Sequence, residues 1–233
     1  MWLITVEQES VFPRKRFSYF CNTVGSQEDM MKLSKRQNAI LVGSILGDAY
    51  VQATGKKNAR LRYEHGGKQK SYLFWKVQEL QPLFNGTPCY LERKHPISGE
   101  KYSYWRHQSF SNELLGQWRK FFYPKGIKCI PKTLAKVLTE PVALAVWYMD
   151  DGYYYVKENS SYLYLGRTSR IEAKIAQLAL KKNFELFPVV VDKKRKGFVL
   201  YFSPKETEKL HKIISPFVLP MFAYKLRHNF LTP

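Results

Sequence analysis

Acidic residues are scarce in this chain of 233 residues, where 19 Asp and Glu stand against 38 Lys and Arg and give a formal net charge of +19. A basic excess of this size indicates a polyanionic partner, nucleic acid first and an acidic membrane surface second. Long hydrophobic runs are also missing. The longest clearly apolar stretch, 142–149, is far short of the ~20 residues that cross a bilayer. We therefore expect no membrane-spanning segment.

Cysteine is rare, with Cys21, Cys89 and Cys129 widely spaced and no Cys-x-x-Cys pair. This pattern supports neither a zinc ribbon nor a disulfide framework, and we expect buried free thiols in a reducing compartment. The N-terminus lacks the basic start and long apolar centre of a signal peptide, so the protein is not expected to be secreted. The 45% of hydrophobic residues is enough to build a substantial core and excludes a mainly disordered chain.

The same order of elements is predicted twice along the chain. Hydrophobic periodicity in the first half predicts helices near 34–47, 73–84 and 114–122 and strands near 49–54, 59–65, 89–94 and 101–108. The second half repeats this order, with helices near 140–151, 171–178 and 210–217 and strands near 153–157, 162–168, 188–192 and 198–203. We interpret this as an α+β protein made of two αββαββα halves, 35–138 and 139–233, after an N-terminal extension, 1–34.

Polar and apolar residues tend to alternate within the predicted strands, so that Arg60, Arg62 and Glu64 share one face. An antiparallel sheet in each half can cover one face with its helices and offer the other to a partner. The many Arg, Lys, Tyr and Gln residues favour a nucleic-acid surface over an ordinary solvated one. We predict DNA contacts from Arg60, Arg62, Arg93, Lys94, Arg106, Gln108, Lys157, Arg167, Lys193 and Arg195.

Two almost wholly apolar helices, one per half, each end in a carboxylate. Gly43 and Gly47 lie four residues apart on the first helix and would allow the second to approach its backbone closely. Packed side by side, the helices would bring Asp48 and Asp151 together at their negative C-terminal ends. Adjacent carboxylates there require a proton or a divalent cation. Asp150 is a rival for Asp151, but the repeat aligns Asp150 with Gly47.

These two helices resemble the paired LAGLIDADG motifs of single-chain homing endonucleases. Three further stretches, 105–110, 128–131 and 220–226, resemble the yeast mitochondrial branch of that family, which carries the omega-intron enzyme. The resemblance covers about 35–227. It implies a central two-helix interface flanked by antiparallel sheets that form a saddle over the DNA major groove. It further implies that Asp48 and Asp151 bind Mg²⁺ or Mn²⁺ and that Lys128 and Lys225 are the basic residues near the two centres.

The function implied by this resemblance is site-specific, Mg²⁺-dependent hydrolysis of double-stranded DNA that leaves a staggered break and promotes intron mobility. The protein would act as a monomer, in a mitochondrial or chloroplast matrix or a bacterial cytoplasm. Two alternatives stay open: an RNA maturase that assists splicing of its own intron, and a DNA-binding regulator without enzyme activity. The retained carboxylates Asp48 and Asp151 favour the nuclease, because RNA binding alone does not require them.

Overall fold

Two copies of one seven-element unit follow each other in the described part of the chain. The computed structural model describes residues 32–94 and 96–230, without the side chain of Asn229. The first copy consists of α1 (Lys35–Leu46), β1 (Tyr50–Ala53), β2 (Ala59–Gly66), α2 (Lys70–Glu79), β3 (Cys89–Lys94), β4 (Lys101–Gln108) and α3 (Glu113–Phe122). The second consists of α4 (Pro141–Asp151), β5 (Gly152–Tyr155), β6 (Ser160–Tyr164), α5 (Arg170–Phe184), β7 (Val189–Asp192), β8 (Phe198–Phe202) and α6 (Pro204–Ile214).

The predicted element order is therefore confirmed in both halves. Nearly all of the predicted extension, 1–34, lies outside the described residues, and the boundary between 138 and 139 stays a prediction. No helix among residues 32–94 and 96–230 is long and apolar enough to cross a membrane.

Local signals explain where most of these elements begin and end. Ser34 caps α1 and Ser169 caps α5, each through a reciprocal capping box. The strand predicted at 162–168 ends early, at Tyr164, because Gly166 turns the chain with a φ of 64°. The strand predicted at 153–157 likewise ends at Tyr155, where a short 3-10 turn begins and closes on Asn159 at a φ of 50°.

Each half contains one four-stranded antiparallel sheet, with strand order β1-β2-β4-β3 in the first and β5-β6-β8-β7 in the second. The register sets Arg62 opposite Gln108 and Glu64 opposite Arg106. Burial alternates along β2, with Leu61 fully buried against the helices and its polar neighbours half-exposed. The predicted alternation is confirmed here, and each sheet has one face free for a partner.

The helices α1 and α4 pack against each other at the centre of the core, and nearly every residue of their apolar segments is buried. A Cβ on Gly43 would come 2.3 Å from the carbonyl oxygen of Ala143 and 2.9 Å from the Cβ of Val146. The two backbones therefore meet closely only because position 43 has no side chain. The close approach predicted from the glycine spacing is confirmed.

The cysteine prediction is partly wrong. Cys89 is a free thiol but is exposed, since it opens the edge strand β3, and Cys129 is free and half-buried. Cys21 lies outside the described residues.

Candidate functional site

The C-terminal ends of α1 and α4 lie side by side, and an aspartate lies at or just beyond the end of each helix. Asp151 is the last residue of α4, whereas Asp48 lies two residues beyond Leu46, the last residue of α1. The Asp151 residue is half-buried and Asp48 is exposed at the rim. Both helix dipoles present their negative ends here. The site thus concentrates negative charge on oxygen atoms.

Burial and the concentrated negative charge raise the pKa values of both aspartates. Burial, followed by the charges of Asp48 and Asp150, raises the pKa of Asp151 to about 7. Partial loss of hydration and the charge of Asp150 also raise the pKa of Asp48. Nearby lysine ammonium groups lower both pKa values but do not cancel the increase. The site is therefore short of positive charge.

Two lysines bind the ends of the same two helices. Lys128 Nζ donates to the carbonyl oxygen of Gly47. Lys225 Nζ donates to the carbonyl oxygens of Met149, at 2.6 Å, and Asp150, at 3.4 Å. Because Gly47 and Asp150 are equivalent positions of the repeat, each lysine occupies the same place beside the helix of its own half. Burial lowers the pKa of both lysines, while the clustered aspartates raise it.

The structure thus brings together all four residues predicted at the centre, Asp48, Asp151, Lys128 and Lys225. Carboxylate oxygens are the ligands that Mg²⁺ prefers, and Mg²⁺ commonly takes one or two of them and keeps several waters. The raised pKa values of the aspartates indicate that a divalent cation would relieve the repulsion between them. The donor set fits Mg²⁺ or Mn²⁺, and the assignment of Asp48 and Asp151 as its ligands stays a prediction.

A third carboxylate, Asp150, which the sequence offered only as a rival for Asp151, pairs with Lys76, a residue that sequence reasoning missed. Lys76 Nζ lies 2.9 Å from each carboxylate oxygen of Asp150, and both side chains have no solvent exposure. A signal for this pair does exist. Lys76 lies three residues after Leu73 and four before Leu80, so it interrupts the apolar stripe of its helix.

His65 also lies at this site. Ligand atoms of Asp48, His65 and Asp150 lie within 4.8 Å of one another. The Lys76 ammonium, however, already sits on Asp150 and lies 3.4 Å from His65 Nε2. Burial and this ammonium lower the pKa of His65 to about 4. The ammonium group of Lys76 therefore occupies the place beside Asp150 and His65 that a metal ion would take.

Residues 38–210 match the LAGLIDADG DNA endonuclease family. The chain belongs to this family. It is similar to the "Probable intron-encoded endonuclease 1" of Wickerhamomyces canadensis, with 29% identity over 203 residues that cover 84% of this chain and 86% of that protein. The structure of the homing endonuclease I-WcaI bound to its DNA recognition sequence has a TM-score of 0.77 at 28% identity, and covers 84% of this chain and 88% of that one.

The chain also resembles a protein named for RNA splicing, the cytochrome b mRNA maturase bI2 of Saccharomyces cerevisiae. The two are 29% identical over 198 residues, which is 81% of this chain but 46% of the maturase. The chain spans about half of the length of several other relatives as well. The predicted family, its fold and its enzyme class, a LAGLIDADG DNA endonuclease, are confirmed.

In the first half of this LAGLIDADG protein, the free sheet face carries charged and amide groups held in place by one another. Arg62 and Arg106 both donate to Glu64, the latter at 2.6 Å. Arg60 donates to Gln52 at 3.0 Å. The predicted contact residues Arg60, Arg62, Arg106 and Gln108 therefore share this face, as does Arg93 by register.

The other predicted contacts lie at strand ends and turns. Lys94 ends β3, and its register sets it on the face opposite to that of Arg93. Lys157, Arg167, Lys193 and Arg195 are exposed in turns of the second half. The free face of the second sheet is different in chemistry, because its strands carry no arginine there. By register this face holds five tyrosines: Tyr153, Tyr155, Tyr162, Tyr164 and Tyr201. Sequence reasoning did not anticipate this contrast between the two sheets.

Proposed function

We propose that this protein is a site-specific homing endonuclease that hydrolyses one phosphodiester bond in each strand of its DNA target, with Mg²⁺ or Mn²⁺ as cofactor. The two cuts leave a staggered double-strand break that promotes mobility of its intron. One observation carries the proposal: two carboxylates converge at adjacent helix ends, and a lysine binds each of those ends.

Asp48 and Asp151 are the residues that would hold the metal. When bound, a divalent cation lowers the pKa of water, neutralises phosphate charge and stabilises the leaving oxygen. The raised pKa values of the two aspartates favour exchange of a proton for a cation as the site forms, since ligands must be deprotonated to bind metal.

The lysines supply fixed positive charge. An ammonium group has three N–H donors, and Lys128 uses one of them on Gly47. The remaining donors can face the oxygens of the scissile phosphate and stabilise the charge that develops there. Lys225 is held in the same way at the end of α4, and its remaining donor can face the other scissile phosphate. Each strand of DNA would then be contacted by one of the two lysines.

DNA binding follows from the two free sheet faces and the net charge of +19. Double-stranded DNA is the partner, and a monomer is sufficient because one chain carries both centres. The place of action is an organelle, and the relatives named as intron-encoded endonuclease and cytochrome b mRNA maturase favour a mitochondrion over a chloroplast. RNA maturase activity is the second candidate, and similarity to the bI2 maturase is the observation that favours it.

The test is cleavage of the intronless junction sequence, the two flanks of this reading frame's intron joined, in Mg²⁺ and in EDTA. We expect a metal-dependent double-strand break that disappears in the double variant Asp48→Ala, Asp151→Ala, while binding of the same duplex in EDTA is retained. Glu208→Ala is the matched control, because it removes an exposed carboxylate on α6. Tight binding without cutting would contradict the nuclease and direct the next assay to the intron RNA.

A further inference from the structure

The ion pair between Lys76 and Asp150 is the most deeply buried charge pair in the described part of the chain. The Lys76 ammonium contacts both carboxylate oxygens of Asp150, and it also lies 4.2 Å from the ring centre of Tyr72 and 5.1 Å from that of Tyr63. Removing two charges from water is costly, and apolar residues of similar size often stabilise a fold as well or better. Stability alone is therefore a poor explanation for this pair.

The second contact of Asp150 gives a better explanation. Asp150 Oδ2 accepts a hydrogen bond from the backbone N–H of Asp48 at 3.2 Å. At the end of α1 the N–H of Gly47 donates to the carbonyl oxygen of Gly43, and the N–H of Ala49 donates to the carbonyl oxygen of Ser44. The N–H of Asp48, between them, has its acceptor on the other half of the protein. Asp150 thus fixes the backbone of Asp48, the proposed metal ligand, at a position that α1 itself does not hold.

Among residues 32–94 and 96–230, no side chain accepts the backbone N–H of Asp151 in the way that Asp150 accepts that of Asp48. Asp151 is the last residue of α4, and the N–H of the following residue, Gly152, still bonds back to Tyr148. The position equivalent to Asp150 in the first repeat is Gly47, which has no side chain. The two centres are therefore built differently: one aspartate is fixed by its helix, the other by a carboxylate from across the interface.

We propose that Asp150, oriented by Lys76, is a positioning residue for Asp48 and controls the rate at which one of the two DNA strands is cut. This inference rests on the proposed endonuclease function. Asp150 does not need to touch the substrate. Its charge is held by Lys76, and its oxygen fixes the place from which the Asp48 carboxylate reaches the metal.

The experiment measures both strands separately. A duplex with the intronless junction, labelled on one strand or the other, is cut in Mg²⁺ by the wild type and by Asp150→Asn and Lys76→Met. We expect each variant to slow one strand at least tenfold more than the other, with nicked DNA accumulating. Both variants should slow the same strand. That strand should also be the one that Asp48→Asn slows more.

The control is Glu206→Gln, which alters a buried carboxylate of α6 that accepts from the backbone of Phe187 and from Lys209. A purely structural loss would reduce cleavage of both strands in proportion to the folded fraction, measured by thermal unfolding. Should Asp150→Asn not fold, the double variant Lys76→Met, Asp150→Leu removes both buried charges together and must show the same strand bias.

Equal slowing of both strands, or full activity in the variants, would overturn the inference while leaving the endonuclease in place. So would an equal strand bias in Glu206→Gln. A wild-type protein that cuts neither strand would overturn the proposed function and this inference with it.

Discussion

Gly47 lies against the side chain of Asp150, the residue that occupies the same place in the second repeat. A Cβ on Gly47 would come 2.3 Å from Asp150 Oδ2 and 2.6 Å from Asp150 Cβ. The side chain missing from one helix makes room for the carboxylate on the other. The carboxylate can then reach both Lys76 and the backbone of Asp48.

Replacing Gly47 by alanine should therefore displace Asp150. We expect Gly47→Ala to lower the free energy of unfolding by about 1–3 kcal/mol, the usual cost of overpacking a tight contact, and to slow DNA cleavage. Thermal unfolding and a cleavage assay measure the two effects. Gly55→Ala is the matched control, because a Cβ there meets nothing within 4 Å. Equal behaviour of the two variants would mean that the helix ends have room to separate.

The raised pKa of Asp151, about 7, predicts how metal binding and stability depend on pH. The ordinary value is 3.8, so without metal the folded state holds this proton more strongly than the unfolded chain. The contribution of Asp151 to the free energy of unfolding therefore falls as the pH rises from about 4 to 7. Mg²⁺ should reverse the effect, and its stabilisation of the protein should grow between pH 6 and pH 8.

The comparison must be made with Asp151→Asn over the same pH range. The buried imidazoles of His65 and His211 have pKa values lowered to about 4 and about 3, so their contributions change in the opposite sense. Subtracting the variant's unfolding curve from that of the wild type removes them. A Mg²⁺-induced rise in Tm that is the same at pH 6 and pH 8 would argue against Asp151 as a metal ligand.

Removal of either central lysine should impair chemistry and spare binding. We expect Lys128→Met and Lys225→Met each to lower the cleavage rate about 10²-fold, the loss typical of one charge-stabilising donor. Lys212→Met, on the exposed side of α6, controls for the loss of one positive charge. Single-turnover cleavage and binding in EDTA separate the two effects. If weaker binding accounts for the whole loss of rate, the lysines are contacts of the DNA backbone only.

Glu64 should influence selectivity, because it fixes the direction of two arginines on the first sheet. Hydrogen bonds from Arg62 and Arg106 lower the pKa of Glu64, against the effect of its partial burial. In Glu64→Gln we expect the preference for the intronless junction over an unrelated duplex to fall about tenfold, within the ~1–3 kcal/mol that an oriented arginine contact contributes. Binding competition measures this ratio. Glu208→Gln, which loses a surface pairing with Arg227, should leave it unchanged.

The sequence predicted this fold well where the signal was local. The bounds of β3 and β4 agree with the prediction, because strand alternation depends on neighbouring residues. The four central residues were placed by the repeat and by family resemblance. The structure brings them together, and their roles await the experiments above.

What the sequence did not predict depends on contacts between distant parts of the chain. Lys76 and Asp150 lie 74 residues apart, and only packing of α2 against the helix pair makes them partners. In a chain with 38 basic residues, one lysine on an amphipathic helix is ordinarily a surface charge. The tyrosines of the second sheet were missed for a similar reason. Their common face is set by the register of β5, β6 and β8 and not by any one strand.

The two free sheet faces differ in chemistry, so the two halves of the protein should prefer different DNA sequences. Arginine and glutamine, which only the first face carries, read hydrogen-bonding edges of bases. The tyrosine rings that dominate the second face instead offer apolar contact of the kind that thymine methyl groups accept. A palindromic sequence would present the same edges to two unlike surfaces and could satisfy only one of them. The preferred site should therefore be a non-palindrome with dissimilar arms. On such a site we expect the protein to bind in one orientation, so that each half of the chain would always meet the same arm of the duplex.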